Sequence, residues 1–230
     1  VASRGPLTMD TPMTDLVIFD CDGVLIDSES IACRVDAECL TEIGFPTVAD
    51  DVRSRYVGIG AAAMFADLEA RHGRLLPPGF SEMIHDRLER AFESELQAMA
   101  GIADVLDALP CPVCVASSSR PERLRHSLTL VGLHDRFAPN VFSGTQVPNG
   151  KPAPDLFLFA AARMGVAPAR CLVVEDSLAG VQAAVAAGMR VIGFTAGDHC
   201  GAGHGARLLE TGALAVAADS RELSSLLPRR

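Results

Sequence analysis

Leu16-Val17-Ile18-Phe19-Asp20-Cys21-Asp22-Gly23-Val24-Leu25-Ile26-Asp27-Ser28-Glu29 is the stretch whose reading decides the fold. A continuous apolar run without proline that ends in Asp-x-Asp-Gly reads as a strand buried on both faces, delivering two carboxylates at its C-terminal end. Open α/β sheets carry their chemistry at that end. Side chains alternate along a strand, so Asp20 and Asp22 leave on the same side, and Gly23 permits the turn that follows. Two carboxylates so close repel each other. Either a cation lies between them or one holds a proton, and a two-step reaction that needs a nucleophile and an acid could use both solutions. An EF-hand loop opened by Asp20 would require glycine at position 25 and glutamate at position 31, where the chain has Leu25 and Ile31. On this motif alone, a plain polar turn stays open.

Working outward, 49% apolar residues in 230 suffice for one large domain or a domain with a sizeable insertion. A formal charge of −9 and the lack of any Lys/Arg-rich run argue against a nucleic-acid or anionic-membrane surface, so a bound phosphate must be held by local groups. The seven cysteines are odd in number and mostly sit in apolar patterns. Reduced thiols in a cytoplasmic protein are expected, and no membrane span or signal core is legible. Residues 1–13 are expected to be an N-terminal extension outside the fold, disordered or derived from cloning, with Met9 and Met13 both plausible initiators.

From 28 to 93 the pattern is helical throughout. Asp27 or Ser28 is a good N-cap, Ile31, Val35, Leu40 and Ile43 recur at helical spacing, and Met83, Ile84, Leu88 and Phe92 do so again after Pro77-Pro78-Gly79. Such a block between the first and second strands is far longer than an ordinary crossover, and it predicts a helical cap over the strand ends that excludes water on closure. The remainder, 14–27 with 94–230, reads as an α/β core. Pro112–Ala116 is an apolar strand ending in Ser117-Ser118-Ser119-Arg120, followed by Pro121 at a helix start, so hydroxyls and amides there can cradle an oxyanion; a turn with an N-cap is the alternative. Val141–Ser143 is a short strand, and Gly150-Lys151-Pro152-Ala153-Pro154-Asp155 places a lysine before the next helix, where it is a solvated loop residue or a phosphate-neutralising one. Cys171–Val174 is a buried strand ending in Glu175-Asp176-Ser177, with Ser177 capping an alanine-rich helix that stops at Gly188. Arg190–Phe194 is a further strand, and a weak final pair, 213–217 and 223–227, closes the chain.

Taken in this order, the motifs resemble the haloacid dehalogenase-like superfamily, and within it the sugar-phosphate phosphatases and mutases related to β-phosphoglucomutase. The resemblance rests on the aspartate motif with its Val24-Leu25-Ile26-Asp27-Ser28-Glu29 continuation, on Ser117, on Lys151-Pro152 with Pro154-Asp155, and on Glu175-Asp176-Ser177 with Gly180. It implies a Rossmann-like parallel sheet flanked by helices with an inserted helical cap. It implies that Asp20 is a nucleophile forming an aspartyl-phosphate and Asp22 the general acid and base. Ser117, the Ser118 amide and Lys151 would hold phosphoryl oxygens. Asp20, the backbone carbonyl of Asp22, Asp176 and, directly or through water, Glu175 would bind Mg²⁺, leaving Asp22 free to carry a proton.

The acid at Asp22 argues against dehalogenation. The mutases resembled here carry a histidine where this chain has Ala32 and a cap arginine where it has Ala61, after Gly58-Ile59-Gly60, which favours hydrolysis over mutase activity. The Phe19–Gly23 opening, Phe92–Leu96 and the tail around Gly193–His199 look most like bacterial phosphatases of 6-phosphogluconate and similar compounds. The expectation is a monomeric, Mg²⁺-dependent phosphatase of small phosphorylated metabolites, with a mutase as the alternative and a non-catalytic metabolite-binding protein as a third reading. The glycine-rich loop 196–204, with Asp198, His199, Cys200 and His204, reads as a flexible turn on the substrate rim in preference to a second metal site.

Overall fold

Residues 16–19 form β1 (Leu16–Phe19), and all four side chains are fully buried. The computed structural model describes residues 13–56 and 61–229. After β1 come four helices, α1 (Glu29–Glu42), α2 (Ala49–Tyr56), α3 (Ala61–His72) and α4 (Phe80–Glu95). The chain then alternates: α5 (Ile102–Ala108), β2 (Val113–Ser117), α6 (Pro121–Leu130), α7 (His134–Phe137), β3 (Val141–Ser143), α8 (Asp155–Met164), β4 (Cys171–Glu175), α9 (Leu178–Ala186), β5 (Arg190–Phe194), α10 (His204–Thr211), β6 (Ala215–Ala217) and α11 (Ser220–Leu226). The six strands make one parallel sheet in the order β3-β2-β1-β4-β5-β6. The order reverses at β1, which lies between β2 and β4, and so opens the crevice at the C-terminal strand ends where such sheets bind ligands.

Helices cover both faces, and the period-2 alternation of β1 divides it between two cores. Val17 and Phe19 pack with residues of α1, α4, α5, α6 and α11, whereas Leu16 and Ile18 pack with α8, α9 and α10. This double burial is why the run reads as uninterrupted Leu-Val-Ile-Phe. Register aligns the strand ends: Phe19 pairs with Val115 on one side and Val174 on the other, and the Asp20 amide donates to the Val174 carbonyl at 3.0 Å. Asp20 therefore emerges beside Glu175.

The insertion between β1 and β2 is helical, as its spacing predicts. Phe80, Ile84, Leu88 and Phe92 recur every four residues along one face of α4 and are buried. Arg87 grips Glu42 with two bonds of 2.6 Å, and Arg34 grips Glu95 at 2.7 and 2.8 Å. These exposed pairs contribute about 0–1 kcal/mol each, so the apolar stripe does most of the stabilising and the pairs set the orientation of α1 on α4. Entry to and exit from the insertion are tied together: the Asp27 amide donates to the Gln97 carbonyl at 3.0 Å and the Met99 amide to the Leu25 carbonyl at 2.9 Å.

The structure corrects one element. Of the expected final pair, 215–217 is strand β6, but 223–227 lies mostly in α11, where Leu223, Leu226 and Leu227 follow a three-and-four spacing and Asp219 accepts from the Glu222 amide as N-cap. All seven cysteines are free thiols, and no helix among the described residues is long and apolar enough to cross a membrane. The expected N-terminal extension lies outside the described residues except for Met13, as does the Val57–Gly60 part of the cap face.

Candidate active site

Four chemical groups anticipated from separate motifs meet at the C-terminal strand ends. Asp20 follows β1, Glu175 ends β4, Asp176 follows it, and Lys151 enters from the loop before α8. The Lys151 ammonium donates to Asp20 Oδ1 and to Glu175 Oε1, each at 2.6 Å, with its side chain 5% exposed and its Nζ 5.0 Å from the Phe157 ring centroid. Lys151 is thus a buried bridge and no solvated loop residue. Glu175 is held from its other oxygen as well: Oε2 accepts from the Ser177 amide at 2.8 Å and the Ser177 hydroxyl at 2.9 Å, while that hydroxyl accepts from the Gly180 amide at 3.0 Å and caps α9. Gly180 lies against this carboxylate, and a Cβ there would force Glu175 to shift.

Electrostatics follows from burial and count. Burial pushes the pKa of Asp20 well up; Lys151 opposes this, and Glu175, Asp176 and Asp22 add to it. Asp176 is likewise raised by burial and then by Glu175. Burial works against the charge of Lys151, yet Asp20 and Glu175 keep it firmly protonated. Carboxylate oxygens of Asp20, Glu175 and Asp176, all buried, lie within 4.8 Å of one another. Three carboxylates against one ammonium leave two negative charges, and an all-oxygen donor set of this kind suits a hard divalent cation. The residues therefore fit such an ion.

Asp22 sits in a different environment. Its Oδ1 accepts from the Ser28 hydroxyl at 2.7 Å and from Arg123 at 3.1 Å, and its Oδ2 accepts from the Ser119 hydroxyl at 2.8 Å. Burial alone would raise its pKa, but Arg123 and the two hydroxyls outweigh burial and leave it lowered. In this geometry Arg123, Ser28 and Ser119 favour the ionised form of Asp22, against the expectation that it is the carboxyl free to hold a proton, whereas burial and like charges favour the protonated forms of Asp20 and Asp176. The Asp22 side chain also stands apart from the three-carboxylate group. Ser28 occupies the N-cap position of α1, as predicted, but makes no side-chain cap bond because its hydroxyl is committed to Asp22.

The serine turn is assembled as expected, with a redistribution of contacts. Ser117, 2% exposed at the end of β2, accepts from the Ser119 amide at 3.2 Å; Ser118 is exposed at the turn; and the Ser143 hydroxyl braces the turn by donating to the Ser119 carbonyl at 2.7 Å. It is Ser119 whose hydroxyl donates to a member of the aspartate pair, Asp22. Sequence reasoning also passed over Arg123. The signal was its position in the first turn of α6, since helical side chains lean toward the N-terminus and hence back over the strand ends. The 196–204 loop is less peripheral than a flexible rim: the His199 ring is buried and its Nε2 lies 2.7 Å from Asp176 Oδ2. Glu29, opening α1, is pushed up to about 7 by burial, with Asp22 and Asp176 adding to the effect.

The profile of the haloacid dehalogenase-like hydrolase family matches residues 14–188, which span β1 to the end of α9 and include every group described above except the 196–204 loop. The chain belongs to the haloacid dehalogenase-like hydrolases. Among its relatives in this family, 6-phosphogluconate phosphatase from Escherichia coli is 33% identical over 186 residues, covering 80% of this chain and 84% of the relative. A haloacid dehalogenase-like protein from Agrobacterium tumefaciens superposes with a TM-score of 0.86 at 38% identity, covering 93% of this chain and 97% of the other. A family hydrolase from Deinococcus radiodurans, crystallised with bound phosphate and sodium, superposes with a TM-score of 0.80 at 32% identity, covering 96% of this chain and all of the other. Members of this family generally use a divalent metal, in keeping with the buried three-carboxylate group of this haloacid dehalogenase-like chain.

Proposed function

We propose that this hydrolase is a Mg²⁺-dependent phosphatase of small phosphorylated metabolites, sugar or sugar-acid phosphates, and that it works through an aspartyl-phosphate on Asp20. The observation that carries the reading is the convergence of Asp20, Lys151, Glu175 and Asp176 in one buried group, with Asp22 and the serine turn alongside. The likeness to 6-phosphogluconate phosphatase supports the substrate class. Asp20, Glu175 and Asp176, with the Asp22 carbonyl, would hold the cation, whose charge screens the dianionic phosphoryl group from the carboxylates.

The chain's own residues do the rest. Lys151 holds Asp20 Oδ1, which leaves Oδ2 to attack phosphorus in line. The P–O bond to the substrate alcohol breaks as the O–P bond to Asp20 forms, and Asp22 gives the departing oxygen a proton. Asp22 then takes a proton from the water that attacks the aspartyl-phosphate, which releases inorganic phosphate and restores Asp20. The Ser117 hydroxyl, the Ser118 amide and Lys151 neutralise the phosphoryl oxygens in flight. Before transfer Asp22 must take up the proton that Arg123, Ser28 and Ser119 discourage, so a bound phosphate dianion drawing Asp22 out of that cage is part of the reading.

We assign 14–27 and 94–230 to the core and 28–93 to a cap that excludes water over the strand ends, supported by the paired entry and exit at Asp27–Gln97 and Leu25–Met99. The test is phosphate release from phosphorylated sugars, sugar acids, polyols and nucleotides, with Mg²⁺ and with chelator. Release from a sugar or sugar-acid phosphate that chelator abolishes is expected. Isomer conversion without net release would overturn the reading in favour of a mutase, and metal-independent release would overturn the cation's role.

A further inference from the structure

Asp176 is held from two sides by a segment that lies beyond the family's matched region. The His199 imidazole Nε2 is 2.7 Å from Asp176 Oδ2, and the His204 imidazole Nε2 is 2.6 Å from the Asp176 backbone carbonyl oxygen. A carbonyl oxygen only accepts, so His204 carries its proton on Nε2; its Nδ1 is correspondingly the acceptor for the Arg207 guanidinium at 3.0 Å. Arg207, one turn along α10, thereby fixes both the tautomer and the plane of His204. A carboxylate that holds a cation is ionised and only accepts, so with the cation bound His199 would present Nε2–H to it; Cys200 Sγ lies 3.2 Å from the same nitrogen.

The room for the His199 ring is made by two glycines. A Cβ on Gly197 would overlap the ring, and one on Gly23, whose φ is +75°, would overlap both the Asp176 carboxylate and the edge of the ring. The ring side chain is 2% exposed, so it is wedged in place and does not sample solvent. This wedge has an electrostatic task to perform. Glu175 and Asp176 are adjacent like charges, and nothing in the strand geometry prevents Asp176 from swinging away from Glu175 and Asp20. One restrained oxygen and a restrained carbonyl remove that freedom while the second carboxylate oxygen stays available.

We infer that His199 and His204 are positioning residues that fix Asp176 for the divalent cation, His199 through the carboxylate and His204 through the backbone. The inference rests on the cation reading given above. Outer partners of this kind change metal affinity by about 10–100-fold when removed, because the ligand must then be ordered at the expense of binding.

Calorimetric titration of Mg²⁺ into the metal-free full chain tests it, comparing wild type with His199→Phe, which keeps the ring and loses the N–H, and His199→Gln, which keeps an N–H donor near the same place. His199→Phe is expected to bind Mg²⁺ about 10–100-fold more weakly and His199→Gln to recover most of the affinity. In turnover, the Mg²⁺ concentration for half-maximal rate rises for His199→Phe while kcat at saturating Mg²⁺ holds. If His199→Phe does not fold in chelator, His199→Asn, whose shorter amide stops near the ring Nδ1, takes its place. Unchanged affinity in the donor-less variant overturns the inference, as does equal weakening by Phe and Gln, which would assign the effect to ring packing. A wild type that binds no divalent cation would instead remove the cation reading itself, and the positioning role with it.

Discussion

Replacing Lys151 with methionine removes one charge from a site that has little else to balance its carboxylates. Methionine keeps a straight apolar chain over the Phe157 ring, so packing changes little and the electrostatic effect is isolated. In wild type the ammonium lies 2.6 Å from both Asp20 and Glu175, and both carboxylates are buried. Breaking a buried pair by deleting one partner costs roughly 3–5 kcal/mol. The low end applies, because Asp20 already tends toward protonation through burial and its acidic neighbours, so the variant can relieve repulsion by taking up a proton.

About 3 kcal/mol corresponds to a melting temperature lowered by roughly 6–12 °C for a chain of this size in chelator at pH 7. The pH dependence has a definite sign. Carboxylates with raised folded pKa values bind protons that the unfolded chain does not, so stability falls as pH rises, and losing Lys151 raises those values further. The deficit of the variant against wild type should therefore shrink at pH 5 and grow toward pH 8. Saturating Mg²⁺ should restore part of it, and turnover should fall by about 10²–10³ through lost stabilisation of the phosphoryl oxygens. Circular-dichroism melts across that pH range decide the matter. Indistinguishable melting of variant and wild type at pH 7 in chelator would refute the claim that this ammonium balances the site.

Asp20→Asn should abolish turnover yet melt no lower than wild type in chelator, since the raised pKa of Asp20 means its ionised form is a cost to the fold that grows as pH rises; a phosphate assay beside a melt shows both. For Asp22 the sign is opposite. Its lowered pKa contributes stability above its ordinary value that is lost as pH falls through the folded one, so Arg123→Met should move that loss, and the limb of the pH–rate profile that reports Asp22, to higher pH. Gly180→Ala would ordinarily favour a helix by about 1 kcal/mol. Here the new Cβ displaces the Glu175 carboxylate, so the variant should melt lower and bind Mg²⁺ more weakly, as titration and melting will register.

The sequence by itself determined the sheet and the insertion. Leu16–Phe19, Cys171–Val174 and Arg190–Phe194 are apolar runs of strand length that read as strands buried on both faces, and the four-residue spacing from Phe80 to Phe92 reads as a helix. Asp20, Lys151, Glu175 and Asp176 were legible because each stands at a strand end or before a helix, where backbone topology alone carries it to the crevice. The short 223–227 segment was ambiguous because a few leucines satisfy either period until the Asp219 cap is recognised.

Only the tertiary structure decided what surrounds each aspartate and how Asp176 is held. Arg123 and Ser119 reach Asp22 across 101 and 97 residues, and His199 and His204 reach Asp176 across 23 and 28. Strand order and helix period fix where a residue's Cα travels, but a pKa or a hydrogen-bonded clamp depends on side chains within about 3 Å, set by loop packing and by glycines that make room.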